Sequence, residues 1–272
     1  MRLYHARGNV TEADTDRSST HKAFFQSVAD AVPAASRCGT LLLLGGADRA
    51  SVRLRAAQAV VRFDQCPSYF SHVAVLASWD DRLEDALGLE ATWEPEDPAL
   101  FASERNGVTP FRLKRYLDAK RWPNVAVASF AFDDDAGAPV PGVAPRREAI
   151  RDALREPNRD RLRYPIWDQH RVWAPYRFGP APANPLLQGH AMPAATFATY
   201  VFNHAGVDLV PVADAPNACP EHVWASLLHA PPVRGVTVRV WKRLLQPDLL
   251  YPRALPMSFE DDIPALARKP SP

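Results

Sequence analysis

The sequence Phe70-Ser71-His72-Val73-Ala74-Val75-Leu76-Ala77 is an apolar run of strand length that contains a single histidine. It follows the turn Cys66-Pro67-Ser68-Tyr69, and its length and this boundary predict a buried β-strand. A lone histidine in such a strand is most often a core residue whose hydrogen bonds are satisfied. His72 therefore becomes a candidate for chemistry only if other parts of the chain supply partners for it.

The chain around this run consists of apolar segments of two kinds. Apolar runs closed by glycine or acidic turns predict strands, and apolar residues at helical spacing predict helices. Besides residues 70–77, the predicted strands cover residues 38–46, 90–93, 124–132 and 236–241. The predicted helices cover residues 20–33, 50–63, 146–155 and 194–204, with a short helix around residues 113–117. Residues 156–190 are predicted to be irregular, and the proline-rich residues 253–272 to be a surface tail.

Composition narrows the class of protein. The chain has 272 residues, of which 47% are hydrophobic and 23% charged, and its formal net charge is +1. This balance is ordinary for a soluble globular protein and gives no field that would favour nucleic acid or an anionic membrane. The polar start lacks a secretory signal, and no apolar run approaches the ~20 residues that span a bilayer. We expect a cytoplasmic protein with no integral membrane segment and no nucleic-acid partner, although signal-independent export stays open.

The sequence lacks the common motifs for metal or cofactor binding. It contains no His-Glu-x-x-His, P-loop or Gly-x-Gly-x-x-Gly signature. Its three cysteines, Cys38, Cys66 and Cys219, cannot all pair, so no disulfide framework is expected. Cys219 and His222 have the spacing of half a metal site, but no second pair is suitably spaced, and a structural role is favoured. We expect neither a metal nor a cofactor.

Segments on both sides of the histidine run follow the order of one known family. The run is preceded by Gly39-Thr40-Leu41-Leu42-Leu43 and followed by Glu90-Ala91. Later in the chain come the helical stretch 197–209 and then Cys219-Pro220-Glu221-His222-Val223-Trp224. Together with the histidine run itself, Tyr69-Phe70-Ser71-His72-Val73-Ala74-Val75, these segments form a pattern. The pattern resembles the circularly permuted papain-like hydrolases, the YiiX/YaeF-type branch of the NlpC/P60 superfamily. The resemblance spans residues 38–229. In that branch the catalytic histidine precedes the catalytic cysteine.

The resemblance implies an α+β fold, with a permuted papain-like domain over residues 37–230 in which an antiparallel sheet packs against helices. Residues 1–36 would form an N-terminal extension with one helix, and residues 231–272 a C-terminal strand and proline-rich tail. The resemblance also implies cysteine hydrolase chemistry on an amide, ester or thioester bond. The substrate would be a peptide, a peptidoglycan-like molecule or an acylated molecule. The implied catalytic histidine is His72, and the residue that orients it is Glu90.

The nucleophile position of this family falls on Ala194, in the box Ala194-Ala195-Thr196-Phe197-Ala198. A cysteine there would lie in the first turn of a helix, whose unpaired N–H groups stabilise a thiolate, and His72 would take its proton. Alanine has no atom that can do this, so we expect no covalent catalysis. Three explanations compete: an engineered Cys→Ala exchange, a natural pseudoenzyme, or an offset alignment in which Thr196 or Cys66 serves instead.

A second hypothesis is a non-catalytic module that binds a peptide or acyl ligand, or a protein partner, in the same cleft. Three residues are candidates for contact with such a ligand or substrate: Tyr69 beside the histidine run, Trp167 in the proline-rich loop, and His190 shortly before Ala194. Trp167 and His190 each have a structural alternative, because aromatic side chains can pin a loop in place and a loop histidine need not bind anything.

Overall fold

One antiparallel sheet of six strands organises the part of the chain that the computed structural model describes, residues 20–62, 64–79, 82–92, 108–133, 145–155, 194–211, 218–229 and 235–246. The strands are β1 Thr40–Gly45, β2 His72–Leu76, β3 Leu87–Ala91, β4 Val108–Arg112, β5 Asn124–Phe132 and β6 Val236–Leu244. Their order in the sheet is β4-β3-β2-β1-β5-β6, and every neighbouring pair is antiparallel. The predicted α+β class with an antiparallel sheet is thereby confirmed.

Five α-helices accompany the sheet within the described residues. They are α1 His21–Ala31, α2 Arg49–Ala57, α3 Arg146–Arg155, α4 Ala194–His204 and α5 Pro220–His229. Two of them begin at side-chain caps. The Thr20 hydroxyl accepts a hydrogen bond from the Ala23 N–H at the start of α1, and the Asp48 carboxylate accepts one from the Ser51 N–H at the start of α2. These caps supply acceptors for N–H groups that a helix cannot satisfy in its own first turn.

Side chains along β1 point alternately to the two faces of the sheet, and this divides the buried side chains into two cores. Leu41 and Leu43 lie on one face, where they pack with apolar residues of α3, α4 and α5. Leu42 and Leu44 lie on the other face, where they pack with α1 and with Trp122. All four leucines are fully buried, and burial of one such side chain stabilises a fold by about 1.5–3 kcal/mol. Because both faces of the sheet are covered, the position of a residue along its strand decides which core it joins.

Two elements of the fold, β4 and α5, were not among the predicted ones. Pro110 in the middle of β4 argues against a strand, since proline cannot donate to a ladder, but β4 is an edge strand of the described sheet and tolerates this loss. The predicted helix around residue 115 is a 3₁₀ turn, Leu113–Tyr116. The sequence signal for α5 is Pro220, a residue that suits the first turn of a helix.

Other predicted elements occur with shifted ends. α2 ends at Ala57 and is followed by a 3₁₀ turn, Gln58–Val61, instead of continuing through residue 63. β3 begins earlier than predicted, at Leu87, and β6 extends to Leu244. The segments predicted to be irregular or a tail, residues 156–190 and 253–272, lie outside the described residues. Among the described helices, none is long and apolar enough to cross a membrane.

The first and last elements of the described chain both meet the same sheet: α1 packs on it and β6 belongs to it. α1 packs against one face through Phe24, Phe25 and Val28. β6 pairs with β5 over the full length of both strands. The predicted division into an extension, a domain and a tail, with boundaries after residues 36 and 230, stays a prediction.

Candidate functional site

Neighbouring strands bring His72 and Glu90 together. The register that pairs Val75 of β2 with Leu89 of β3 places the two side chains on the same face of the sheet. The Nε2 atom of His72 lies 2.6 Å from Oε2 of Glu90, which is the distance of a strong hydrogen bond. Glu90 is completely buried, whereas the His72 side chain remains 14% exposed. The pair therefore has a buried end and an end that solvent or a ligand can reach.

The 3₁₀ turn after β4 supplies two further partners for Glu90. Arg115 Nη1 lies 3.1 Å from Oε1, and the Tyr116 hydroxyl donates to Oε2. Burial opposes the ionisation of Glu90 and is the largest influence on it. His72, first through its hydrogen bond, acts with the charge of Arg115 and the hydroxyl of Tyr116 to leave the pKa of Glu90 below the ordinary value. Burial and the negative charge of Glu90 raise the pKa of Tyr116 well above its ordinary value. Glu90 is thus a carboxylate at neutral pH, and Tyr116 is a hydroxyl donor.

The predicted nucleophile position opens α4, as expected, but the body of that helix lies on the other face of the sheet. Ala194 is half-buried and packs against the core that contains Val73 and Val75 of β2. The His72 side chain shares its face with Ala74 and Leu76 instead, because side chains alternate along a strand. His72 is the first residue of β2 and Ala194 the first of α4. A side chain at position 194 could therefore meet the imidazole only at this end of the strand, and their proximity stays a prediction.

The three candidate ligand contacts differ in what the structure says of them. Tyr69 is half-buried, with the Arg62 guanidinium 4.8 Å from the centre of its ring. Trp167 and His190 lie outside the described residues. Contact of any of the three with a substrate stays a prediction.

The segment that leads into His72 is held by α5. The Ser68 hydroxyl donates a 2.6 Å hydrogen bond to the Glu221 carboxylate, and the Glu221 N–H donates to the Gln58 side chain at 2.8 Å. The rings of Phe70 and Trp224 meet edge to face, with 5.0 Å between their centres. The sequence around residues 219–224, which carried part of the resemblance, thus anchors the residues just before β2.

Two of the three cysteines are poorly suited to act as the nucleophile. Cys38 and Cys219 are buried, and burial raises the pKa of Cys38 and raises that of Cys219 to about 12. Cys219 Sγ lies 3.4 Å from Nδ1 of His222, and the described residues contain no group of three or more side chains able to hold a metal ion. Cys66 is exposed, with its backbone N–H bonded to Asp64, and its service as an alternative nucleophile stays a prediction. Thr196, the other alternative, is buried within α4.

Sequence reasoning missed Arg115 and Tyr116. Their segment was predicted as a short helix, and Tyr116 is buried. No local pattern shows that its hydroxyl and the neighbouring guanidinium meet a carboxylate on β3, because that contact depends on the pairing of β3 with β4.

Comparison of the chain with known proteins adds no further assignment. No protein-family model matches it, and neither a curated protein nor a solved structure does.

Proposed function

We propose that this protein is a permuted papain-like cysteine hydrolase scaffold that retains its histidine–carboxylate pair but lacks the nucleophile. The observation that carries the proposal is the 2.6 Å contact between His72 and a completely buried Glu90. The start of α4 at Ala194 and the antiparallel order of β1, β2 and β3 support it. As the sequence stands, the protein would bind a peptide, peptidoglycan-like or acylated molecule without cleaving it.

The chemistry of an ancestral or restored site follows from these positions. A thiolate at the start of α4 would attack the carbonyl carbon of an amide, ester or thioester, and a C–S bond would form. His72 would first take the thiol proton. It would then return this proton to the leaving amine, alcohol or thiol as the amide, ester or thioester bond of the substrate breaks. Water would release the acyl group in a second step, and Glu90 would orient the imidazole throughout. Alanine at position 194 removes the first step.

Restoring the sulfur tests this proposal. The variant is Ala194→Cys in a Cys66→Ser background, so that the exposed native thiol does not react. Iodoacetamide labelling is followed by intact mass at a series of pH values. We expect an apparent thiol pKa well below the ordinary value of about 8.5, and we expect His72→Ala to move it upward.

A cysteine at the start of another helix provides the matched control. Arg146 is also half-buried and is the first residue of α3. Arg146→Cys, in the same Cys66→Ser background, reports the effect of a helix N-terminus without His72. If the thiols at positions 194 and 146 titrate alike, and if His72→Ala changes neither, the proposal is wrong.

The second candidate function is non-catalytic binding of a peptide or acyl ligand, with His72 as a hydrogen-bonding group. It is favoured by the alternation that turns the His72 side chain away from the face on which α4 packs. On this proposal the thiol at position 194 titrates in the ordinary range and ignores His72. The labelling experiment therefore separates the two candidates.

A further inference from the structure

We infer that Arg115 and Tyr116 are positioning residues: by keeping Glu90 a carboxylate, they make Nδ1 of His72 the atom that accepts a proton. The catalytic meaning of this inference rests on the proposed function, whereas the arrangement itself rests on the contacts of Glu90. Two residues adjacent in sequence act on different oxygens of one carboxylate. Arg115 contacts Oε1, and Tyr116 contacts Oε2 together with His72.

The charge at the site explains why two positioning residues are needed. Glu90 is completely buried, and an unpaired carboxylate in such a place takes up a proton instead of remaining ionised. Arg115 brings a permanent positive charge into contact with it. Tyr116 adds a neutral donor, with Arg121 as a further positive charge near its hydroxyl. Arg115 and Tyr116 therefore compensate the charge of Glu90 in addition to His72.

The ionised state of Glu90 decides which nitrogen of His72 is open. A carboxylate can only accept hydrogen bonds, so Nε2 must carry the hydrogen that points to Glu90, and Nδ1 of the neutral ring holds the lone pair. A proton taken from a ligand would go to Nδ1 and give an imidazolium facing a carboxylate. If Glu90 were a carboxylic acid, it would donate to Nε2 instead, and the lone pair would face the protein interior.

A neighbouring arginine shows what a merely structural pair looks like. Arg112 lies 3.1 Å from Asp85, but both side chains are about half exposed, at 46% and 49%. Solvent screens such a pair, so its charge has little effect on other groups. Arg112 therefore serves as the matched control for Arg115.

The test follows the protonation of the pair in the full chain by NMR, with ¹³C-labelled carboxyl groups and ¹⁵N-labelled imidazoles. In the unaltered protein and in Arg112→Met, we expect Glu90 to remain a carboxylate on mild acidification. In Arg115→Met, the midpoint of the Glu90 carboxyl titration should rise by about one pH unit or more. Tyr116→Phe should raise it by less, and Arg115→Lys, which keeps the charge, should restore most of the original behaviour.

The same experiment can overturn the inference. A Glu90 midpoint that is unchanged in both Arg115→Met and Tyr116→Phe would do so, as would an equal rise in Arg112→Met. If Arg115→Met does not fold, Arg115→Gln, which also removes the charge, takes its place beside Tyr116→Phe. If Glu90 behaves as expected but a thiol at position 194 ignores His72, the proposed function fails and the role of Arg115 and Tyr116 stands.

Discussion

Ser68 and Glu221 are separated by 153 positions in the chain, yet the Ser68 hydroxyl donates a 2.6 Å hydrogen bond to the Glu221 carboxylate. Both residues are buried, and burial raises the pKa of Glu221 despite this bond and the nearby Arg62. The bond fastens the first turn of α5 to the segment that enters β2. The position of His72 thus depends on a helix that lies far along the sequence.

We predict that Ser68→Ala lowers the free energy of unfolding by about 1–3 kcal/mol, because it leaves a buried carboxylate oxygen without its donor. Urea unfolding measures the change. Ser27→Ala is the control, since Ser27 is exposed and its hydroxyl donates to the Phe24 carbonyl in the same helix. A surface substitution of this kind should change the free energy of unfolding by no more than about 0.5 kcal/mol. Equal effects of the two substitutions would show that the bond to Glu221 adds nothing.

Glu90→Ala should destabilise the protein by about 3–5 kcal/mol, because it breaks the largely buried ion pair between Arg115 and Glu90 by removing one member. Glu90→Gln keeps the shape and an acceptor, so its effect should be smaller. Asp85→Ala removes a surface partner of Arg112 and should cost at most about 1 kcal/mol. Thermal and urea unfolding of the three variants check this order. A Glu90→Ala protein as stable as Asp85→Ala would contradict it.

His21 makes stability depend on pH. It is buried, and its Nδ1 accepts from Arg243 at 2.8 Å while Nε2 donates to the Trp122 carbonyl at 2.6 Å. Burial, with the charge of Arg243, lowers the pKa of His21. The unfolded chain therefore binds more protons than the folded one between the lowered pKa and about 6.5, and stability must fall as pH falls through this window.

Urea unfolding between about pH 5 and pH 8 measures this dependence. The contribution of His21 should be fully present above about pH 7 and decrease below that. In His21→Gln the dependence should be flatter, because that variant has no imidazole to protonate. Parallel curves for the two proteins would mean that His21 does not control the slope.

Gly88→Ala should destabilise the sheet by about 1–3 kcal/mol or more through overpacking. A Cβ at position 88 would overlap the Phe111 ring and lie 2.8 Å from the Val75 carbonyl oxygen. Gly206→Ala separates crowding from backbone conformation, since Gly206 has a φ of +69° but no atom within 4 Å of an added Cβ. Its cost should be about 1 kcal/mol. Gly88→Ala combined with Phe111→Leu should recover part of the loss in a denaturation experiment; no recovery would point away from this contact.

The sequence was most informative where a pattern is local. The runs that became β1, β2 and β5 are apolar and closed by turns, and residues 124–132 form a strand with the predicted ends. The pairing of His72 with Glu90 was expected from the family resemblance and not from a local pattern in either strand. β4 was hidden because Pro110 contradicts a strand unless its place at the sheet edge is known.

The parts that escaped prediction depend on long-range contacts. Tyr116 has the pattern of a core residue, and its hydroxyl acquires a role only because β3 and β4 pair and bring it to Glu90. The side of the sheet on which His72 lies relative to α4 was hidden for a similar reason. Alternation assigns residues to two faces, but only the packed helices show which face is which.

The two-sided sheet has a practical consequence for anyone who shortens this chain. A truncation after residue 36, which would isolate the predicted papain-like region, removes Phe24, Phe25 and Val28 from the face that holds His72 and Glu90. Leu42 and Leu44 would then be exposed to water, and the Trp122 carbonyl would lose its bond from His21. The shortened protein would be prone to aggregate, and an apparent loss of binding in it would report damage to the scaffold instead of the chemistry of the site.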